Sequence, residues 1–285
     1  DRGFLWRIEK GGHSSWLYGT LHVGRAAWTT PGPRTAAALA ASQVLALELD
    51  LLDPAMQQRM AQAMLSALNT PAPYASVASL PPELRERLRP LAEAACLPEG
   101  SDVMLSPALE IALLGAAAVQ GDGLRAEHGI DLALARRARD AGRTIVSLET
   151  PEAQIAAMQP SGSAAETLEF VGRSLDELEA GRARTLLLRT AQVWADGDWA
   201  ALAGYAAWCD CLNTAADRAD MARLLDQRNP AMAAAIDALH AGGQRVFAAV
   251  GSLHLTGPQG LPALLARRGY RVERITFDKI QETTR

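Results

Sequence analysis

Short apolar runs along the chain alternate with longer stretches whose hydrophobic positions recur with helical spacing. Near the amino terminus, two aromatic-rich runs flank a stretch of glycine and serine, a pattern typical of a β-hairpin. The later apolar runs end in an acidic residue or in glycine and predict further strands. The predicted strands span about 4–10, 16–21, 44–49, 143–148, 245–251 and 270–276.

The residues between these strands are mostly helical in pattern. An alanine-rich helix predicted after Pro33 lies between the second and third strands, and this order is that of a βαβ unit with parallel strands. Two long helical insertions, at about 54–140 and 151–242, are expected to pack together as a cap. We predict a single α/β domain over residues 1–285, with a central mixed or parallel sheet and flanking helices.

Composition excludes some classes of function. Hydrophobic residues make up 49% of the 285 residues and charged residues 21%, as is usual for a globular protein. The net charge of −4 gives no reason to expect nucleic acid or an anionic membrane as a partner. The most apolar stretch, residues 108–119, is too short to span a bilayer. We therefore expect neither nucleic-acid binding nor membrane insertion.

Three cysteines are too few for a disulfide scaffold but allow one bridge, which would link Cys96 to Cys209 or Cys211. The chain begins at Asp1 without an initiator methionine, which favours the mature form of an exported protein. We therefore expect a periplasmic or secreted location.

One tetrapeptide pattern, Gly-[Ser/Thr]-Leu-His, occurs twice, ending at His22 and at His254, each time after an apolar strand. Open α/β sheets bind ligands at the carboxyl ends of their strands. Glu48 and Glu149 lie at or near the ends of two other predicted strands. If the four strands are neighbours, two imidazoles and two carboxylates meet at one edge of the sheet.

Histidine with glutamate is a ligand set that suits a divalent transition metal able to activate water. A simpler interpretation stays open: these strand-end side chains are solvated surface groups. Taken by itself, Glu48 fits that interpretation better than a role in a site. We interpret His13, His128 and His240 as structural or exposed. The sequence has no His-Glu-Xaa-Xaa-His motif, no Gly-Xaa-Ser-Xaa-Gly elbow and no Walker loop, which excludes three common classes of catalytic site.

Together these motifs resemble those of the TraB/PrgY/GumN family, whose animal relatives are the TIKI metalloproteases. The resemblance extends over nearly the whole chain. The segments that carry it are LWRIEK, WLYGTLHVG, LALELD, the run from GIDLAL to SLETPEAQ, LLDQRNPAM and VFAAVGSLHLTGPQG.

The resemblance implies a metal-dependent hydrolase, and within that class a peptidase acting on peptides or proteins. It implies that His22, Glu48 and His254 hold the metal or act as general acid or base. Mn or Co would be the metal, with Zn as an alternative.

The resemblance also makes Glu149, Arg228 and Asn229 catalytic candidates. Arg228 would orient a carboxylate or stabilise an oxyanion, with Asn229 in support. An ion pair on a helix surface is the alternative for Arg228. Two other functions stay open: a metal-independent hydrolase similar to the erythromycin esterases, and a module that binds a peptide or small ligand without turnover.

Overall fold

Six strands form one mixed sheet in the computed structural model, which describes residues 1–69, 74–160 and 163–277. They follow the six predicted runs and confirm the α/β class, with small differences at the strand ends. The strands are β1 (Phe4–Lys10), β2 (His13–Thr20), β3 (Val44–Leu47), β4 (Thr144–Ser147), β5 (Val246–Gly251) and β6 (Arg271–Ile275).

The first two strands form the predicted hairpin with a tighter turn than expected. Gly11 and Gly12 both have positive φ, of 60° and 83°. Two glycines in this conformation complete a two-residue loop whose twist matches that of the strands. β2 therefore begins at His13 rather than near residue 16.

Four neighbouring strands end at the same edge of the sheet. The order is β4-β3-β5-β2-β1-β6, with β1 antiparallel to both β2 and β6 and the other pairs parallel. Thr20 at the end of β2 lies opposite Gly251, and Leu47 at the end of β3 lies opposite Ala249 and Ser147. The parallel arrangement that the βαβ pattern predicts is confirmed.

Burial explains why the central strands read as continuous apolar runs. Every residue of β3 is buried, and so is every residue of β5 except the last, as is usual for parallel strands covered on both faces. Trp194, also buried, donates its indole N–H to the carbonyl of Gly19 at 2.8 Å. This bond fixes the end of β2, from which the first histidine motif continues.

The helices include both short connectors and longer packed elements, and among the described residues none is long and apolar enough to cross a bilayer. They are α1 (Pro33–Ala41), α2 (Pro54–Leu68), α3 (Pro82–Ala94), α4 (Ser101–Met104), α5 (Pro107–Ala117), α6 (Ile130–Asp140), α7 (Pro151–Met158), α8 (Ala164–Glu179), α9 (Arg182–Ala195), α10 (Trp199–Ala203), α11 (Tyr205–Trp208), α12 (Ala215–Leu224), α13 (Asn229–Ala241) and α14 (Leu261–Arg267).

The chain divides into two compact units. The first contains the sheet and comprises residues 1–52, 126–149 and the chain from Arg189 onward, and the second comprises 53–125 and 150–188. In the second unit α2 packs on α7, and α3 and α5 pack on α8, so helices of both predicted insertions do meet. In the first unit α6 packs on β3 and β4, and α13 packs on β5. The second unit is therefore smaller than the predicted insertions, and the single domain stays a prediction.

The sequence allowed a bridge from Cys96, but this bridge does not form. Cys209 and Cys211 are bonded to each other, and Cys96 is a free, exposed thiol. The chain turns at Asp210, which has a left-handed φ of 50°, and this turn brings the flanking Cα atoms to 5.1 Å, within the range that a disulfide spans.

A buried histidine lies near the opposite edge of the sheet. His240 Nε2 is 2.9 Å from the carbonyl oxygen of Lys10, and its Nδ1 is 2.9 Å from Ser15 Oγ. Because a carbonyl can only accept, Nε2 carries the proton and Nδ1 accepts from the hydroxyl. His13 stacks on the ring with centroids 3.8 Å apart. Burial lowers the pKa of His240 below its ordinary value.

We expect His240 to make the free energy of unfolding fall as the pH decreases from 7 to 5. Its pKa is about 6.5 in the unfolded chain and lower in the folded one, so below that pH the unfolded state binds a proton that the folded state excludes. In urea denaturation, the stability gap between wild type and His240→Gln should narrow as the pH is lowered from 8 to 5. A gap that stays constant would contradict this expectation.

Candidate functional site

Both histidine motifs and both strand-end glutamates lie at the edge where the four parallel strands end. Glu48 directly follows β3, and Glu149 comes two residues after β4. The N–H of Glu149 donates to the carbonyl of Glu48 at 3.2 Å. His22 follows β2 by two residues, and His254 lies in the 3-10 turn after β5, Ser252–Leu255. The topology brings together side chains that are far apart in sequence.

Arg228 joins the two glutamates. Its Nε and Nη2 donate to the two carboxylate oxygens of Glu149 at 2.9 and 2.6 Å, and Nη2 also donates to Glu48 Oε2 at 2.7 Å. Nη1 donates to the carbonyl of Leu224 at 2.8 Å. The Arg228, Glu48 and Glu149 side chains are only 12%, 7% and 4% exposed. The two parallel bonds to Glu149 fix the orientation of that carboxylate relative to the guanidinium. The bond from Nη2 holds the Glu48 carboxylate beside it.

Asn229 makes a hydrogen bond with His254. The sequence had suggested that Asn229 would assist Arg228. The amide Nδ2 donates to the carbonyl of Gln259 at 2.9 Å, so Oδ1 must be the atom that faces His254 Nδ1 at 2.6 Å. An amide oxygen only accepts, and therefore Nδ1 carries the ring proton. The other ring nitrogen, Nε2, lies 3.4 Å from Arg228 Nη1 and is left with its lone pair.

His22 lies at the rim of the site, with its side chain 64% exposed. Its Nδ1 is 3.4 Å from Asp131 Oδ2, and the charge of Asp131 raises the pKa of His22 to about 9. Ile130 donates its N–H to the carbonyl of Leu21 at 2.8 Å, which holds the start of α6 against the motif. Sequence reasoning missed Asp131, for which the one available signal was an acid in the first turn of a helix.

The site holds an ionised carboxylate next to an uncharged imidazole. Burial alone would raise the pKa of Glu48, but the positive charges of His22 and Arg228 outweigh it, together with the Gly251 N–H that donates to Oε1 at 2.6 Å. The pKa of Glu48 falls to about 2. Burial raises the pKa of Glu149, although Arg228 opposes the rise. Burial lowers the pKa of His254 to about 4.

Gly251 lies where the three expected metal ligands converge. A Cβ built on it would lie 3.3 Å from Glu48 Oε1, 3.6 Å from His254 Cδ2 and 3.7 Å from His22 Nε2. The two imidazoles are thus close neighbours with the carboxylate beside them. A side chain at position 251 would therefore contact all three, and already its first carbon would be tight against Glu48.

The donor set fits a divalent transition metal. Each imidazole has its Nδ1 next to an oxygen of another side chain, which leaves Nε2 for a ligand, as is usual for metal-binding histidines. Glu48 adds carboxylate oxygens. Within the part of the chain that the structure describes, no three His, Cys, Asp or Glu side chains are arranged so that they could hold a metal ion. The site is a set of donors and not a formed coordination sphere.

Comparison with known proteins agrees with the motifs. The model of the TraB/PrgY/gumN family matches residues 4–274, which confirms the resemblance over nearly the whole chain. No curated protein and no solved structure matches the chain.

Replacing Arg228 should leave two buried carboxylates uncompensated. We expect Arg228→Met to lower the free energy of unfolding in urea by about 3–5 kcal/mol, and adding Glu149→Gln should restore part of the loss. Arg87 is a matched control, because it also bridges two carboxylates, Glu179 and Asp176, but at an exposed position. Arg87→Met should cost about 1 kcal/mol or less. Equal losses in the two variants would refute the role given to burial.

Proposed function

Because the chain belongs to the TraB/PrgY/gumN family, we propose that it is a metal-dependent hydrolase that cleaves peptide bonds. The observation that supports this most is the convergence of His22, Glu48 and His254 around Gly251. Converging imidazole and carboxylate donors are what a site that activates water needs.

His22 and His254 would hold the ion through Nε2, and Glu48 through its carboxylate. Mn²⁺ or Co²⁺ suits this ligand set, with Zn²⁺ as an alternative. Such an ion lowers the pKa of a bound water and polarises a substrate carbonyl.

The chain's own residues position and move the proton. Glu48 stays ionised at neutral pH, which keeps its carboxylate available as a ligand of the ion, and the proton of the attacking water would pass to the leaving amine beside that carboxylate. Arg228 keeps that carboxylate in place, and because its N–H groups already face Glu48, Glu149, the Leu224 carbonyl and His254, it orients a carboxylate and does not bind the oxyanion. Glu149 has both oxygens on the guanidinium and acts as a positioning residue. Asn229 holds His254 in the tautomer that leaves Nε2 unprotonated.

A second candidate uses the same side chains without a metal, as in the hydrolases that resemble erythromycin esterases. His254 is uncharged because it is buried, and its Nε2 lies 3.8 Å from Glu48 Oε2 and within reach of Arg228. A neutral imidazole held between a carboxylate and a guanidinium is suited to act as a general base on water.

We also propose that the protein acts outside the cytoplasm on a peptide or protein substrate. The disulfide between Cys209 and Cys211 supports this location, because disulfides persist mainly in oxidising compartments.

Incubation with a peptide library tests the proposal. We expect Mn²⁺-loaded protein to cleave members of the library, to lose this activity on exhaustive chelation and to regain it with Mn²⁺ or Co²⁺. His22→Ala and His254→Ala should lower both the Mn²⁺ content, measured by mass spectrometry, and the cleavage rate by about 100-fold or more. His13→Ala, at the opposite edge of the sheet, should change neither. Activity that survives chelation would favour the second candidate, and peptide binding without any cleavage would overturn both.

Gly251→Ala should separate folding from activity. The added methyl group meets Glu48 Oε1 at 3.3 Å, which is a tight contact, and the two imidazoles at ordinary contact distances, so we expect a folded protein that is less stable by about 1–2 kcal/mol. The methyl group fills the space next to the three ligands, so cleavage should be lost. Gly172→Ala in α8 is the matched control, because its methyl group would meet nothing within 4 Å. Full activity in Gly251→Ala would contradict the proposed position of the reacting water.

A further inference from the structure

A cavity of about 610 Å³ in the second compact unit has a buried carboxyl group in its wall. Its lining comes from Val77, from α3, from the chain between Leu97 and Asp102, and from Glu110 in α5. The volume lies within the range of about 300–1,000 Å³ that small-molecule sites occupy. All of these residues belong to the second unit, so the cavity is separate from the side chains at the sheet edge.

Glu110 is the unusual member of the lining. Its residue is only 2% exposed, and Oε2 makes no hydrogen bond. A buried carboxylate oxygen without a partner destabilises a fold, so an apolar residue would serve packing better at this position. Burial and the nearby Asp102 both raise the pKa of Glu110. A positive charge bound beside the carboxyl group would oppose that rise.

The rest of the lining combines acidic side chains with apolar ones. Five carboxyl groups and two guanidinium groups line the cavity, and one of the guanidiniums, on Arg89, is paired with Glu93 at 3.4 Å. Leu88, Leu97 and Ala92 provide apolar surface beside them. Carboxyl groups beside apolar surface suit an organic cation, whose charged end and apolar chain match the two parts of the lining, better than a metal ion, which takes polar ligands only.

We propose that this cavity binds an organic cation, namely a protonated amine carried on an apolar chain. The ammonium group donates to the carboxyl group of Glu110, and the chain lies against Leu88 and Leu97. A free alkylamine and the side chain of a lysine in a peptide share this chemistry. The inference is independent of the hydrolase function, because no residue of the proposed catalytic site takes part.

Calorimetric titration of the full chain with hexylammonium, hexanoate and hexanol tests the proposal at constant chain length. We expect hexylammonium to bind about tenfold or more tightly than the anion or the alcohol, because a charge-assisted bond in a buried place discriminates to that extent. Equal binding of the three probes, or no binding of hexylammonium at millimolar concentration, would overturn the proposal.

Variants assign the binding to the carboxyl group. Glu110→Gln keeps the shape of the side chain and should weaken hexylammonium binding about tenfold or more. Glu83→Gln, at an exposed position of α3 outside the lining, should leave it unchanged. Undiminished binding in folded Glu110→Gln would refute the assignment.

A second variant keeps the test valid if Glu110→Gln does not fold. Asp102 is exposed, so Asp102→Asn should fold and, by removing one nearby negative charge, weaken hexylammonium binding several-fold. Unchanged binding in this variant would count against the proposal. A parallel titration with the blocked peptide acetyl-Gly-Lys-Gly-amide compares the two sources of the ammonium group, and the tighter ligand identifies the source.

Discussion

The edge of the sheet depends on one buried guanidinium. Two carboxylates in a poorly solvated place repel each other and would not both remain charged, and Arg228 resolves this by binding both at once. Two negative charges and one positive charge leave the network with an excess of one negative charge. That excess favours a cation at the open side of the site, whether it is the imidazolium of His22 or a metal ion. The ion network is therefore both the support of the site and the source of its preference for positive charge.

Much of the fold follows from local pattern, and the site follows from the ends of the strands. Runs such as residues 44–47 and 246–251 are continuously apolar because they are buried, so they could be recognised without a structure. Once the strands were recognised, the histidines and glutamates at their ends could be identified as candidate site residues. Strand order could not be derived, because it depends on pairings between segments that are distant in the chain.

The partners of the site residues were the part that sequence could not supply. Asp131 and Asn229 act through single hydrogen bonds to histidines on other segments, and no periodicity records such a bond. The disulfide was misjudged for a related reason: a left-handed turn at Asp210 is a local conformation that composition does not reveal. The two buried glutamates, 48 and 110, make the same point. Their contacts, which the sequence does not show, distinguish them: Glu48 is paired with Arg228 and ionised, whereas Glu110 has an oxygen without a hydrogen-bond partner.

The carbonyl of Gln259 decides where a proton sits on a ring that it does not touch. If the Asn229 amide were flipped, its oxygen would face the carbonyl of Gln259, and two acceptors would meet. The amide N–H would then donate to Nδ1 of His254, so the ring proton would move to Nε2 and face the donor Nη1 of Arg228. The flipped amide is therefore unfavourable both at the Gln259 carbonyl and at Arg228. His254 is therefore confined to one tautomer, and the main chain just before α14 determines which tautomer that is.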